Sequence, residues 1–389
     1  MKKIAFVLQT MVLGGVEKEL ISVLKQIHNQ YDITVLLLYL KDEEVLREIP
    51  KNVKVKSLNI DIDYYCGNSV SLIRQRVKHG KICEAIDIAM KRLLKVGMTH
   101  ANTNLDDIPD TEDTFDTSIC YHIHSPLTLK YVAQKVKSNK KIGWIHSDFY
   151  SSRYPVQRLE KYIKKYDEFV AVSKKVEKEF TELCPWYQGN VSTTYNFLDF
   201  DEIIERSKEN IEDGIFLGNN TTKLLTVGRF SKEKGIDLAI EVCGMLKRAK
   251  LKFHWFLIGY GELEDEYNRL IKKYDVEDCF TILGKKTNPY PYIKQCDIYV
   301  QPSRHEAFGL VIKEAKILKI PIICTDFDGA DEQIDNGVNG IIVPLNNTTA
   351  LYEEISKLIK SPELREKLSK ELDKWQADDD LKEIIKHFD

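Results

Sequence analysis

The sequence predicts an α/β fold in which two Rossmann-like domains each contain a parallel sheet. Three observations lead to this prediction. A chain of 389 residues is long for one hydrophobic core. Short apolar runs alternate with segments of helical periodicity along nearly the whole chain. The alternation also starts again after a polar stretch at 196–222, which indicates a second domain. Alternating β and α segments favour parallel sheets with right-handed crossovers.

The first half begins with a predicted strand at 3–9, a glycine turn and a helix at 16–29. The next strand, 32–40, is almost continuously apolar, which is typical of a strand buried on both faces of a parallel sheet. Further strands are predicted at 117–123, 140–147 and 168–173, and helices at 71–96 and 174–183. These elements make up a predicted first domain over 1–195.

The second half repeats the pattern over 196–371. Strands are predicted at 222–230, 252–259, 279–284, 297–303 and 320–326, and helices at 235–249, 262–275, 288–296, 309–318 and 348–359. Ligands of such sheets bind at the carboxyl ends of the strands. The loops that follow the strands are therefore where functional residues are expected.

Composition excludes several classes of protein. The chain has 43% hydrophobic and 30% charged residues, as in ordinary globular proteins. Its eight cysteines form no Cys-x-x-Cys motif, which favours reduced thiols over disulfides or a zinc site. The apolar run after Lys2 and Lys3 is short and reads as a strand, not a signal peptide. No run approaches the ~18 apolar residues that a membrane span needs. We expect a cytoplasmic protein with no nucleic-acid partner.

The net charge of −3 is unevenly distributed. Residues 1–195 carry 29 Lys and Arg against 24 Asp and Glu, whereas the remainder carries 28 against 36. The excess is strongest at 71–95, with seven basic and two acidic residues. Such asymmetry favours a peripheral contact of the first domain with an anionic membrane surface. Solvated helix faces are the alternative interpretation.

The segment "PSRHEAFGLVIKEA" (302–315) follows a predicted buried strand and enters a helix near Gly309. The N–H groups of Phe308, Gly309, Leu310 and Val311 are then those of a helix N-terminus, which binds anions. Glu306 before the helix and Glu314 within it can accept hydrogen bonds from hydroxyl groups. An anion with hydroxyls on both sides describes a nucleotide-sugar. Two carboxylates that merely favour the helix dipole are the alternative.

A second motif, "VGRFSKEKGID" (227–237), places Arg229 at the end of a strand and Lys234 before the next helix. A guanidinium group and an ammonium group suit two adjacent phosphates and the charge that grows on a departing diphosphate. A solvated basic loop is the alternative. Gly14 and Gly15 form a turn that allows close approach of a ligand to the backbone.

His146 ends another strand, where a lone histidine can equally be structural. Four Asp-x-Asp pairs occur, close to what composition alone produces, and we discount them as metal ligands. These segments leave the type of reaction open.

Together these segments resemble family 4 of the glycosyltransferases, which are retaining enzymes with the GT-B fold. "GGVEKEL" resembles the glycine loop of that family, and "FVAVS" the strand that closes its first domain. "VGRFSKEKGID" and "PSRHEAFGLVIKEA" match closely, and the second is the most specific. The resemblance covers nearly the whole chain. It implies two Rossmann-like domains facing a central cleft, with a last segment, 372–389, that crosses back to the first domain.

The resemblance also implies roles for individual residues. Arg229 and Lys234 would hold the diphosphate of the donor, Glu306 the sugar hydroxyls and Glu314 the ribose diol. His146 would lie near the transferred sugar, and the backbone around Lys286 would contact the base. The family works without a metal or other cofactor. Its substrates are a nucleotide-sugar, here expected to be a UDP-sugar, and a glycan or lipid-linked glycan acceptor used in cell-surface polysaccharide synthesis.

Two other functions fit parts of the sequence. A nucleotide-sugar epimerase of similar fold needs acid and base residues at the sugar, and no second base is evident. A non-catalytic nucleotide-sugar-binding protein would not need the full set Arg229, Lys234, Glu306 and Glu314, which is present.

Overall fold

The computed structural model describes most of the residues of the chain. They are 1–12, 14–40, 45–60, 73–74, 77–78, 80–93, 105–106, 108–147, 149, 156–218, 221–374 and 380–389. The chain forms two compact domains. The first contains Met1–Phe197 together with Asp380–Asp389, and the second contains Leu198–Asp379.

The first domain is built on a parallel sheet whose order is β3-β2-β1-β4-β5-β6-β7. Its strands are β1 Lys3–Leu8, β2 Asp32–Leu37, β3 Lys54–Ser57, β4 Thr114–Cys120, β5 Lys137–Ile145, β6 Glu168–Ala171 and β7 Asn190–Thr193. β1 and β2 are buried along nearly their whole length, as their apolar sequences predict. The order reverses between β1 and β4, which is the point where such sheets bind ligands.

The helices of the Met1–Phe197 segment differ in how they use their apolar residues. They are α1 Gly15–Ile27, α2 Ile82–Leu93, α3 Pro126–Lys135, α4 Val156–Ile163 and α5 Lys174–Leu183. α1 buries an apolar face that includes Leu20 and Leu24. α2 lies within the predicted helix 71–96, whose remaining residues fall partly outside the described chain. Its Ile82 and Ile86 are exposed, although their helical spacing predicts a buried face.

The second domain contains a parallel sheet in the order β10-β9-β8-β11-β12-β13. Its strands are β8 Thr222–Val227, β9 Phe253–Ile258, β10 Phe280–Gly284, β11 Ile298–Gln301, β12 Ile322–Thr325 and β13 Ile341–Val343. Here the order reverses between β8 and β11. The prediction of two Rossmann-like parallel sheets is therefore confirmed.

Helices pack on the second sheet, and the segment 196–222 belongs to this packing. The helices are α6 Phe200–Arg206, α7 Gly214–Leu217, α8 Ile236–Arg248, α9 Glu264–Lys273, α10 Tyr290–Lys294, α11 Leu310–Ile317, α12 Ala330–Gln333, α13 Thr348–Lys360 and α14 Pro362–Lys374. Leu198, Ile203 and Phe216 are buried in the core of the domain. The predicted joint 196–222 therefore packs on the second domain through part of its apolar residues, whereas Ile204, Ile215 and Leu217 are exposed.

The last helix, α15 Asp380–Phe388, completes the first domain. Phe388 packs edge-on against Phe6 with ring centroids 5.7 Å apart. His387 Nδ1 lies 2.7 Å from Glu168 Oε1, and Lys140 Nζ donates to the His387 carbonyl at 2.7 Å. Burial would raise the pKa of Glu168, but the contacts with His387 and Lys140 lower it overall. None of the described helices is long and apolar enough to span a bilayer.

Candidate functional site

In the second domain, the turn after β8 lies against the loop after β11. Lys234 closes a 3₁₀ turn at Lys232–Lys234, and Gly235 follows with φ +61°. A Cβ on Gly235 would lie 2.0 Å from the Pro302 carbonyl oxygen, so only glycine permits this approach. Neighbouring strands therefore bring together two motifs that are about 70 residues apart in the chain.

Arg304 fixes these two loops to each other. Its Nη1 and Nη2 donate to the two carboxylate oxygens of Asp237 at 2.7 and 2.6 Å. Nη1 also donates to the Lys232 carbonyl at 2.8 Å. A bidentate pair of this kind restricts both orientation and distance. The sequence interpretation missed Arg304, because its partner Asp237 is remote in sequence.

Lys234 and Glu306 form an ion pair, with Lys234 Nζ 2.5 Å from Glu306 Oε1. The same oxygen accepts from Ser303 Oγ at 2.8 Å and from Gln301 Nε2 at 3.1 Å. Gln301 and Ser303 are 1% and 0% exposed. Tyr299 Oη donates to Gln301 Oε1 at 3.0 Å, which extends the network into the core. The carboxylate of Glu306 is thus held in place by buried donors before any ligand arrives.

Arg229 differs from Lys234 in having no partner of this kind. It follows β8, and its exposed side chain makes no hydrogen bond or ion pair with the described residues. A guanidinium group in this position is open to an anionic ligand.

The N-terminus of α11 is the third component of this site. Gly309 precedes the helix with φ +77°, and no side chain caps the first turn, which includes Leu310 and Val311. Phe308 is buried, and the side-chain amide of Gln333 donates to its carbonyl oxygen. The N–H groups of this turn carry the positive end of the helix dipole, which favours an anion.

Glu314 lies one turn further along α11 and is 3% exposed. Its Oε1 accepts a hydrogen bond from Tyr290 Oη at 3.2 Å. Burial and the charge of Glu314 raise the pKa of Tyr290 well above its usual range. The alternative of Glu314 as a surface residue that favours the helix dipole is therefore wrong.

Lys286 follows β10 and is engaged by another carboxylate. Its Nζ lies 2.8 Å from Asp213 Oδ2, which also accepts from the Tyr292 hydroxyl. The Lys286 hydrogen bond, followed by that of Tyr292, lowers the pKa of Asp213. The ammonium group of Lys286 is thus directed to Asp213.

In the first domain, the carboxyl ends of β1, β4 and β5 form a separate polar cluster. Gly14 precedes α1, and a Cβ there would lie 2.6 Å from Glu17 Oε2; Gly15 is the first, exposed residue of the helix. His146 directly follows β5 and is buried. Burial lowers the pKa of His146 well below its usual range, and nearby histidines contribute. The imidazole is therefore neutral at physiological pH.

Glu19 is a buried carboxylate of this cluster that the sequence interpretation missed. Its Oε2 lies 3.6 Å from His146 Nδ1, beyond a hydrogen bond. When the Asn196 amide is oriented so that its nitrogen faces Glu19, this nitrogen donates a hydrogen bond to Glu19 Oε1 at 3.1 Å. The sequence did contain a signal for its burial, because Glu19 lies three residues after Val16 on the face of α1 that otherwise carries apolar residues.

No cluster of three or more potential metal ligands occurs among the residues that the structure describes. The site is thus characterised here by cations, carboxylates and a helix N-terminus. A bound anion with hydroxyl groups is the ligand that these groups suit.

Comparison with known proteins relates this site to a family. Residues 207–375 match the family model "Glycosyl transferases group 1". Alpha-D-kanosaminyltransferase of Streptomyces kanamyceticus is 30% identical over 148 residues, which are 38% of each chain. N-acetylgalactosamine-N,N'-diacetylbacillosaminyl-diphospho-undecaprenol 4-alpha-N-acetylgalactosaminyltransferase of Campylobacter jejuni is 29% identical over 172 residues, 44% of this chain and 45% of that protein. The matches thus span less than half of these relatives.

A solved structure extends the likeness to the whole chain. Anabaena Alr3699/HepE in complex with UDP has a TM-score of 0.71, with 16% identity, over 100% of this chain and 99% of that chain. At this identity the likeness establishes the fold, which is that of GT-B proteins.

Proposed function

We propose, from the match of residues 207–375 to the family model "Glycosyl transferases group 1", that the protein is a retaining glycosyltransferase of family 4. It transfers a sugar from a UDP-sugar to a glycan or lipid-linked glycan acceptor in cell-surface polysaccharide synthesis. The observation that carries the proposal is the Lys234–Glu306 pair, supported by buried donors beside the N-terminus of α11. This arrangement provides groups for both a diphosphate and sugar hydroxyls at a ligand-binding edge of the sheet.

In this proposal the diphosphate of the donor binds at the first turn of α11, through the amides of Leu310 and Val311. Arg229 and Lys234 are the cations on its other side. Negative charge grows on the β-phosphate oxygen as the glycosidic bond breaks. Fixed cations stabilise this charge more in the transition state than in the ground state, and this difference accelerates the reaction.

The carboxylates have separate roles. Glu306 accepts hydrogen bonds from sugar hydroxyls, and its buried donors keep one oxygen in place. Glu314, which Tyr290 orients, accepts from the ribose diol. The backbone at 285–286 contacts the base, while Asp213 holds the Lys286 side chain.

His146 lies near the transferred sugar in this proposal and acts as a neutral hydrogen-bonding group, consistent with its lowered pKa. Retention follows if the acceptor oxygen attacks the anomeric carbon from the face that the diphosphate leaves. The bond from that carbon to the β-phosphate oxygen breaks, the bond to the acceptor oxygen forms, and the acceptor proton passes to the departing phosphate. The metal independence expected of the family is part of the same proposal.

Two relatives support the choice of substrates. The HepE structure contains UDP, and the name of the Campylobacter relative specifies an acceptor on diphospho-undecaprenol. A UDP-sugar donor and a lipid-linked acceptor are the substrates that we infer from them for this chain.

The proposal is tested in two steps. Thermal unfolding with a panel of nucleoside diphosphates should show the largest stabilisation by UDP, because a ligand that binds only the folded state raises its stability. The protein is then incubated with UDP-sugars without acceptor, and the anomeric protons are followed by NMR. Slow release of free sugar that initially keeps the configuration of the donor is expected. Accumulation of an epimeric UDP-sugar would instead identify an epimerase, and binding without any turnover, with candidate acceptors also present, a non-catalytic protein.

A further inference from the structure

The helix α2 exposes an apolar face outside the sites described above. Ile82, Ile86 and Met90 occur at four-residue spacing and are 60, 54 and 58% exposed. This spacing places them on one side of the helix, which we call the Ile82 face. Ala85, on another side of the helix, is buried. Exposed apolar side chains clustered in this way indicate an interaction surface, because scattered single ones are the norm.

The sequence around the Ile82 face has an excess of basic residues. Val77, shortly before the helix, is a further exposed apolar residue, and Arg74 and Lys78 beside it are exposed. The sequence over 71–95 contains seven basic and two acidic residues. An apolar helix face within a basic segment is the combination by which amphipathic helices lie in the interface of an anionic membrane.

We propose that the Ile82 face inserts into the headgroup region of an anionic lipid bilayer, with the basic residues binding acidic headgroups. The helix would lie parallel to the membrane, with its apolar side chains about 5–10 Å deep at the boundary with the acyl chains. The biological role of this contact, which is to bring the first domain to a lipid-linked acceptor, rests on the proposed function. The lipid binding itself rests on the exposed side chains alone.

The test is co-sedimentation of the full-length protein with vesicles of phosphatidylglycerol and phosphatidylcholine at low salt. We expect the triple variant Ile82→Gln, Ile86→Gln and Met90→Gln to reduce the partition coefficient at least tenfold. A matched control is the triple variant Ile204→Gln, Ile215→Gln and Leu217→Gln in the second domain, whose side chains are 42, 63 and 48% exposed. It removes similar apolar area and should bind as the wild type does.

Three further measurements separate the effect of charge from that of insertion. The double variant Arg74→Gln, Lys78→Gln should lower binding severalfold, and added salt should lower binding of the wild type, because both weaken attraction to anionic lipid. Cys83 is exposed on α2, whereas the other described cysteines are buried. The emission maximum of a polarity-sensitive fluorophore attached to Cys83, in a Cys66→Ser background, should shift to shorter wavelength when vesicles are added.

Three results would overturn the proposal. These are a wild type that ignores the vesicles, equal loss of binding in both triple variants, or a dimer in sedimentation equilibrium that only the α2 triple variant abolishes. The last result would identify the Ile82 face as a contact between two copies. Thermal stabilisation by UDP, measured on the same samples, distinguishes a failure of the membrane proposal from a failure of the transferase proposal. A protein that binds UDP but not lipid refutes only the membrane surface, and one that binds lipid but not UDP refutes only the transferase.

Discussion

The two domains have similar strand orders. They differ in whether the polar side chains at the point where the order reverses are hydrogen-bonded within the protein. In the second domain, Lys234 and Glu306 are hydrogen-bonded to each other or to buried neighbours. In the first domain, neither ring nitrogen of His146, nor the buried Thr10 hydroxyl, has a hydrogen-bond partner among the described residues. A buried polar group without a partner is costly. The Lys234–Glu306 pair is therefore held by the protein itself, whereas His146 and Thr10 in the first domain keep hydrogen-bonding groups that no described residue uses.

The sharpest test of this comparison is Lys234→Ala. If the organised network of the second domain stabilises the departing diphosphate, kcat for donor turnover should fall by roughly 10²–10³, the effect of losing one preorganised electrostatic group. Donor affinity should fall less. Lys232→Ala, in the same turn but exposed, is the control and should retain near-normal kcat. Equal loss of kcat in both variants would mean that general charge matters and the network does not.

A smaller effect is expected at Glu314. Removing its buried carboxylate should weaken binding of UDP, measured by calorimetry, by about 1.5–3 kcal/mol, the range for a hydrogen bond to a charged group. Tyr290→Phe, which keeps the carboxylate but removes its donor, should weaken binding less. Glu366→Ala on the exposed side of α14 is the control. Unchanged UDP affinity in a folded Glu314→Ala protein would remove this residue from the site.

The stability of the first domain should decrease in acid because Glu168 becomes protonated. Its pKa in the folded protein is lowered from 4.5, so the stability that it contributes is present above about pH 4.5 and is lost as the pH falls through the folded value. We expect Glu168→Gln to reduce the free energy of unfolding by about 1 kcal/mol near pH 7, and by less in acid. Urea unfolding near pH 7 and below pH 4.5 measures the free energy of unfolding of the wild type and the variant. Glu112→Gln, at an exposed carboxylate, should show no such difference, and equal behaviour of the two variants would contradict the role of Glu168.

The smallest effect is expected from metal removal. Because Arg229 and Lys234 supply the positive charge at the proposed diphosphate site, turnover in excess EDTA should equal turnover with added Mn²⁺. Loss of activity on chelation, restored by metal, would show that the side chains of the second domain are not sufficient.

Much of the fold could be predicted because buried parallel strands are almost wholly apolar. β2 and β9 are examples. The edge strands β3 and β7 were not predicted, because "KVKS" and "NVST" are largely polar and their position in the sheet depends on pairing with a neighbour. The helices α6 and α7 were also missed, since their few apolar residues give too little periodicity.

The candidate site was predictable as a set of residue types but not as a network. Lys234 and Glu306 are 72 residues apart, and their ion pair depends on β8 and β11 being neighbours in the sheet. The buried donors Gln301 and Ser303 resemble ordinary strand and loop residues in the sequence. Glu19 was missed for a related reason, because its position on a helix face is visible but its partner Asn196 is remote in sequence.

The placement of α15 has a consequence for synthesis of the protein. The chain leaves the first domain at Phe197 and returns at Asp380, so Leu198–Asp379, 182 residues, lies between two parts of one domain. At roughly 5–20 residues per second, a ribosome needs about 10–40 s to make this stretch. The second domain is continuous and can fold as it emerges. During that interval the nascent first domain lacks Phe388, and the surface that includes Phe6 and Tyr31 stays uncovered until α15 has been made.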